Sequence, residues 1–511
     1  MNIVRSYWSR KGISTPSLFD IRRFAQPVHL HDQDIYQKYG NIVGLYEFLR
    51  PTLMIGDPVL IKDILVRDFH NFPNHRALNF GHTTNRLGLF FMRGTEERWE
   101  KLRTAIAPSF TARKMRVLTI KVNECISTLL ANLSKRAKSG KVIDLRVCYR
   151  AFSLDAIAST AFGIQLDSLN EADHPIVSNA HKFFSKKPMT RFLFEVYLMI
   201  AKFKQMRPTD FESLKYFTKL TERITREKRY QRKRKYSGGL INGKKLDFIQ
   251  MFLDVLDHGQ DPIPDSIEEE LFEENEAEPS ERVEMDSLRL YGHEEKPKPK
   301  HSSKDVNNNG NGHAPRKSSV SLDELKTQGI LFFLAGFDTT ATLLSNLSYL
   351  LASNQQAQEM LINEIDTWDS EYELNYDVVN SFKYLDACVW ETLRLFPPVS
   401  RVERVCASDY QLRGTNITVP AGMTVSVPVY AVHRDPKNFD EPDKFKPERF
   451  LQTEGSSESP LKHPYCFLPF GGGPRNCLGM RLVVLEAKMC IVKILKRYRF
   501  RRSETISVSI S

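Results

Sequence analysis

The sequence predicts a mainly α protein: one large helical domain carrying a small β-sheet region on its N-terminal side. Three observations predict it. Helical patterning dominates from about residue 97 to 257, segments that alternate apolar residues with turn signals are confined to 41–67 and 399–430, and Gly329 to Leu351 is a single apolar-rich run. With 511 residues the chain can bury a core large enough to enclose a cofactor. The net charge is +11, but residues 261–320 carry fifteen acidic against eight basic residues, a local −7 that leaves +18 on the remainder. A basic body attracts anionic lipid headgroups or an acidic redox partner as readily as nucleic acid. No zinc-finger or RNA-binding motif accompanies the charge, so no nucleic-acid partner is expected. The seven cysteines, at 125, 148, 388, 406, 466, 477 and 490, form no C-x-x-C pair. That points to a reducing compartment and away from a disulfide scaffold or a zinc site.

Taken in order, residues 1–33 read as a short polar N-terminal segment without a membrane anchor: Met1 to Arg10 holds neither a spanning run of about 20 apolar residues nor a signal-peptide core. Residues 34–500 read as the main domain. Within it, Ile42–Tyr46 and Thr52–Pro58 form a hairpin that leads into a helix at Pro58. Trp99 and Arg103 share a helix face at i, i+4. Phe192 to Ile200 is apolar and aromatic, and residues 223–235 carry eight Lys/Arg and one Glu. An apolar patch beside a polybasic run suits an interfacial membrane contact, and a buried helix followed by a solvated one fits equally well. Residues 257–320, acidic and then Asn-Gly-rich, cannot form a core and read as a disordered insert. Ser318, Ser319 and Ser321, after Arg316-Lys317, are candidate phosphorylation sites or parts of a plain linker.

Gly329 to Leu351 reads as a core helix. As a span it would place Asp338 in lipid at a cost of about 3 kcal/mol. Inside it, Ala335-Gly336-Phe337-Asp338-Thr339-Thr340 puts a small residue, a carboxylate and a hydroxyl close together. Thr339 can bond back to the Ala335 carbonyl and, with Gly336, loosen the helix enough to form a groove. Glu391 and Arg394 oppose their charges at i, i+3 in an apolar setting that predicts burial and further partners. Val399 to Tyr430 holds the second strand zone, with turns at 414–416 and 420–422. Residues 501–511 are a short C-terminal tail. The most informative stretch is Phe470-Gly471-Gly472-Gly473-Pro474-Arg475-Asn476-Cys477-Leu478-Gly479. It presents one cysteine in a Gly-rich turn at the N-terminus of a helix-like run, Met480 to Leu495, where free N–H groups and the helix dipole stabilise a thiolate.

This stretch fits F-x-x-G-x-R-x-C-x-G and resembles the haem-binding loop of the cytochrome P-450 superfamily. Ala335 to Thr340 resembles the [AG]-G-x-[DE]-T-[ST] oxygen-binding motif of the same family. Phe152 to Asn170, Arg401 to Cys406 and Tyr430 to Phe450 look most like its microsomal drug- and steroid-oxidising branch, and the likeness covers about residues 34 to 500 outside the insert. The resemblance implies the P-450 fold, haem b as cofactor and Cys477 as the axial iron ligand. It places Phe470, Gly473, Arg475 and Gly479 of the loop, with Ala335 and Gly336 of the helix, against the haem. It makes Asp338 and Thr339 the proton-delivering catalytic pair, since splitting dioxygen needs protons in a dry pocket. Trp99, Arg103, Arg404 and Arg475 match propionate partners. Glu391, Arg394 and Arg449, the last in Pro447-Glu448-Arg449-Phe450, match a structural ionic lock behind the haem.

The implied activity is monooxygenation of a small apolar substrate, with electrons from NADPH through the flavoprotein NADPH–cytochrome P-450 reductase, and with cytochrome b5 as a second partner. The implied location is the cytosolic face of the endoplasmic reticulum membrane, held by peripheral contact. The implied pocket lining is the 77–96 loop, the 186–210 region, Phe332 to Phe337 and Val399 to Arg401. Two other readings share the cysteine loop. A haem-thiolate isomerase or dehydratase commonly lacks the acid–alcohol pair, and a silent haem-binding paralogue would accept no electrons. The chain departs from the family pattern at its two ends, where anchor and hinge are short and where Glu504 to Ser511 supplies one strand of an expected hairpin.

Overall fold

The computed structural model describes residues 7–17, 26–47, 50–76, 87–140, 142–184, 211–236, 247–258, 321–369, 371–451 and 461–503. Residues 77–86 of the 77–96 loop, the whole 186–210 region with its apolar patch at 192–200, nearly all of the 257–320 insert and the tail from 504 lie outside these residues, and so do the side chains of 232–235.

The expected hairpin forms. Helix α1 (Val28–Tyr39) leads to β1 (Ile42–Glu47) and β2 (Arg50–Ile55), paired antiparallel from Ile42↔Ile55 to Glu47↔Arg50. Asp57 then accepts from the Val59 and Leu60 N–H groups at 3.0 and 3.1 Å, which starts a helical turn at Pro58. The two strand zones, 350 residues apart in sequence, make one sheet. β2 pairs in parallel with β6 (Thr424–Val427), and β6 pairs antiparallel with β3 (Val402–Val405), in the order β1-β2-β6-β3. Two short strands, β4 (Tyr410–Gln411) and β5 (Thr418–Val419), form a second ladder around Gly414, whose φ of 68° suits its turn.

The helical part contains α2 (Glu97–Ile106), α3 (Ala112–Lys138), α4 (Leu145–Ile157), α5 (Pro175–Phe184), α6 (Phe211–Tyr236), α7 (Phe248–His258), α8 (Leu322–Ser353), α9 (Gln355–Asp366), α10 (Tyr376–Ser381), α11 (Lys383–Leu395) and α12 (Met480–Leu495). By length and composition α8 could cross a membrane. It packs instead against α4, α6, α7, α9, α11 and α12, which makes it the central helix of the core. Its start is fixed by a capping box: the Ser321 hydroxyl accepts from the Glu324 N–H, and the Glu324 carboxylate accepts from the Ser321 N–H at 2.7 Å. Ser321 thus has a capping role at the edge of the insert. Helix α12 is buried along most of its length, Glu486 and Lys488 included.

Candidate functional site

The loop before α12 presents Cys477. The Cys477 N–H donates to the Phe470 carbonyl at 3.0 Å and the Asn476 N–H to Gly473 at 2.9 Å, which folds the stretch back on itself. Gly473 has φ +70°, and a Cβ there would sit 1.9 Å from the Leu65 carbonyl oxygen, so no other residue fits. Phe470 meets Trp390 edge-on with ring centroids 6.2 Å apart. Of the seven cysteines Cys477 is the one that is accessible. Protein is nonetheless dense around it. Burial pushes its thiol above the usual range, and the Gly479 N–H, the Arg103 charge and the Met480 N–H pull the other way. Gly479 is the N-cap of α12, so the expected thiol at a helix N-terminus is present.

A cluster of cations lies beside this thiol. The Arg475 guanidinium stacks over the Trp99 ring at 4.5 Å, with Arg103 5.9 Å from the same ring. Arg475 donates to the carbonyls of Pro73 and Met92, each at 2.6 Å, and Arg103 donates to the Asn476 side chain and carbonyl. Arg404 donates to the Glu403 carbonyl at 2.9 Å and lies 3.2 Å from His75 Nδ1. None of these partners carries a negative charge. Burial lowers Arg103 and Arg404 to about 10 and Arg475 to about 9, with Arg103 adding repulsion on Arg404, and with Arg404 and Arg103 adding it on Arg475. Burial, Arg404 and Arg475 hold the His75 imidazole neutral, down to about 2. Trp99 Nε1 and Arg404 Nε are buried with no hydrogen-bond partner among the described residues. The cluster therefore has donors and positive charge in excess and lacks an anion. His75 and Asn476 carry no motif of their own in the sequence; only their place beside these arginines marks them.

The 335–340 turn of α8 carries the acid and the alcohol. Thr339 donates to the Ala335 carbonyl at 2.7 Å, as its position predicts. Asp338 does not turn toward Thr339. Its carboxylate lies 3.5 Å from Arg150 of α4, and Arg150 also covers the Phe337 ring at 5.2 Å. Ala335 is exposed, while Phe333 and Phe337 are buried in the core. Arg401, expected at the pocket wall, is taken by Asp32 and Glu47 in a buried ion network.

The charged set behind the loop is assembled. Arg394 meets Glu391 twice, at 2.7 and 2.8 Å, and Arg449 reaches the same carboxylate at 3.1 Å. Glu391 and Arg394 are fully buried, and the remaining guanidinium hydrogens donate to the carbonyls of His433, Pro442 and Lys444.

An accessible thiol beside helix N–H groups, with an anion-deficient arginine cluster next to it, defines a class: an enzyme built around a cofactor that takes a thiolate ligand and brings carboxylates of its own. Haem b fits this donor set, since its propionates would supply the missing anions and the unpartnered Trp99 and Arg404 N–H groups would meet them. A family model described as cytochrome P450 matches residues 15–275 and 264–508. Cytochrome P450 3A29 of Sus scrofa is 31% identical over 494 residues, covering 95% of this chain and 84% of that protein. Cytochrome P450 3A14 of Cavia porcellus is 30% identical over 506 residues, covering 97% and 86%, and cytochrome P450 3A5 of Homo sapiens is 30% identical over 511 residues with the same coverage. The chain belongs to the cytochrome P450 family and is a P450 monooxygenase, and the family implies haem with a cysteine thiolate ligand.

Proposed function

We propose that this chain inserts one oxygen atom of O2 into a small apolar substrate, a xenobiotic, steroid or fatty-acid-like molecule, with electrons from NADPH delivered by NADPH–cytochrome P-450 reductase and cytochrome b5 as a second donor. The observation that carries this reading is the accessible Cys477 beside an arginine cluster that lacks an anion, in a chain whose α8 also bears the Asp338–Thr339 pair. When bound, haem supplies the activation of dioxygen: RH, O2, NADPH and a proton give ROH, water and NADP+.

The protein's residues do the rest. Cys477 would hold the haem iron as a thiolate, favoured by the Gly479 N–H, the Arg103 charge and the Met480 N–H. Trp99, Arg103, Arg404 and Arg475 would hold the propionates, with charge and N–H groups that have no anion among the described residues. Phe470, Gly473, Gly479, Ala335 and Gly336 would flank the haem. Glu391, Arg394 and Arg449 keep the segment behind the loop rigid. Asp338, half-exposed and paired with Arg150, takes protons from solvent, and Thr339 passes them inward from a hydroxyl fixed by Ala335. Exposed Arg223 and Arg226 on α6 favour peripheral contact with an anionic leaflet, which fits the cytosolic face of the endoplasmic reticulum.

The test is the reduced, CO-bound Soret spectrum of wild type and Cys477→Ala. Wild type should show the red-shifted thiolate band and the variant should lose it; a wild type without that band removes the reading. NADPH-dependent turnover with the reductase then separates a monooxygenase from a peroxide-rearranging isomerase or a silent haem binder.

A further inference from the structure

Hydroxyls on the helices of this protein commonly bond back to the carbonyl four residues earlier, as those of Thr119, Thr160, Thr225, Ser345 and Thr392 do. Thr339 follows the pattern and Thr340 does not. The carbonyl that Thr340 would use belongs to Gly336, and that oxygen receives the Ser153 hydroxyl of α4 at 2.9 Å. Gly336 lets α4 approach this closely: a Cβ there would stand 3.0 Å from Ile157. Thr340 is fully buried and donates outward, to Glu486 Oε2 of α12 at 3.3 Å. The 335–340 turn is thus pinned from both sides, by Ser153 and by Glu486.

Glu486 lies on the helix that begins at the Cys477 loop and is 4% exposed. Burial raises its carboxyl to about 8, and the Thr340 hydrogen bond is the opposing influence. Among the described residues, no cation acts on it. Cys125 of α3 and Cys490 of α12 are thiols that burial, and Glu486 itself, push upward. Asp155 of α4, which also acts on Cys125, bonds Ser168, and Glu364 of α9 accepts from the Tyr384 and Leu385 N–H groups. Lys488 is taken by Asp386 of α11 and Asn380 of α10, both at 2.7 Å. A carboxylate placed here without a cation would be costly, so the group stays neutral at neutral pH.

We propose that Glu486 is a positioning residue for oxygen activation: as a neutral acid it fixes the 335–340 turn of α8 to the helix that follows the thiolate loop, and so sets where Thr339 stands relative to Cys477. The proposal rests on the relay role given to Thr339. Ionisation puts an uncompensated charge between α8 and α12, which admits water or parts the helices. Thr339 then loses its place, and NADPH, O2 and a proton give NADP+ and H2O2 with no oxygen transferred.

The experiment uses reconstituted holoenzyme with the reductase. It reads peroxide released per NADPH oxidised and the infrared C–O stretch of the reduced CO complex from pH 6 to 9. In wild type the peroxide yield should rise and the C–O band should shift as pH passes about 8. Glu486→Gln, which keeps an acceptor for Thr340 but cannot ionise, should lose both transitions. Glu486→Leu should release more peroxide at every pH, by about two- to tenfold, the range that one hydrogen bond's worth of positioning gives. A Gln variant that keeps the wild-type pH transitions overturns the proposal, and so does a Leu variant with wild-type peroxide yield and band. Thr339→Ala separates the two ideas: if its peroxide yield is unchanged the relay reading fails, while the C–O transition still reports on Glu486.

Discussion

Arg404 is 2% exposed, has an unpartnered Nε, and sits close enough to Arg103 to be repelled by it. In the protein without cofactor this arrangement costs stability, because burial and a like charge both oppose the guanidinium. With carboxylates beside it the same charge becomes favourable. Arg404→Met should therefore leave the melting temperature of the haem-free protein unchanged or raised, and should speed transfer of haem to an acceptor apoprotein. Differential scanning calorimetry and stopped-flow transfer check the two halves; a variant that lowers apoprotein stability and leaves transfer unchanged contradicts the assignment. A second prediction concerns Thr339→Ala. It removes the hydroxyl held by Ala335 without disturbing the core, so CO binding should persist while NADPH consumption uncouples from product.

Among the elements, the Glu391–Arg394–Arg449 set shows how far local pattern reaches. The i, i+3 spacing and apolar surroundings predict a buried pair, and both side chains are fully buried. The spacing says nothing of the carbonyls of His433, Pro442 and Lys444 that complete the Arg394 shell, because these come from a loop some forty to fifty residues on. Glu391→Ala leaves that guanidinium buried without a counter-charge and should cost about 3–5 kcal/mol, read from the denaturant midpoint of the holoprotein. Similar limits hold elsewhere. The hairpin at 42–55, the core helix α8 and the Cys477 loop were legible because alternation, apolar periodicity and glycine placement are local signals. The joining of β2 to β6 was not, since parallel pairing between distant strands leaves no mark on either. Nor was the turn of Asp338 toward Arg150, or of Thr340 toward Glu486: each depends on which helix packs on α8, not on the spacing within it.

For the molecule as a whole, two buried groups set opposite pH trends in stability. His433 is fully buried, accepts from the Leu468 N–H at 2.8 Å through Nε2, and lies 3.1 Å from the Arg394 carbonyl through Nδ1. Burial, then the Arg394 charge, lower it from 6.5 to about 3, so the folded state rejects a proton that the unfolded chain accepts. Its contribution is complete above about 6.5 and is lost as pH falls through about 3. Glu486 behaves in the reverse sense: raised from 4.5 to about 8, it contributes fully below 4.5 and its contribution is lost as pH rises through about 8. His75, lowered to about 2, and Asp155, raised from 3.8 to about 7, add a second rising and a second falling slope; between about 4.5 and 6.5 the four cancel, and above 6.5 only the falling slopes remain, that of Asp155 to about 7 and that of Glu486 to about 8, each at roughly 1.4 kcal/mol per pH unit. Wild-type stability should then fall from about pH 6.5 to 8, and Glu486→Gln should remove the decline between about pH 7 and 8 while leaving the acid limb in place. Urea unfolding of both proteins at half-unit pH intervals measures the difference directly. A Gln variant whose stability declines with the wild-type slope above pH 6.5 would mean that Glu486 is ionised in the folded protein, and that the join between α8 and α12 is held by something other than a neutral acid.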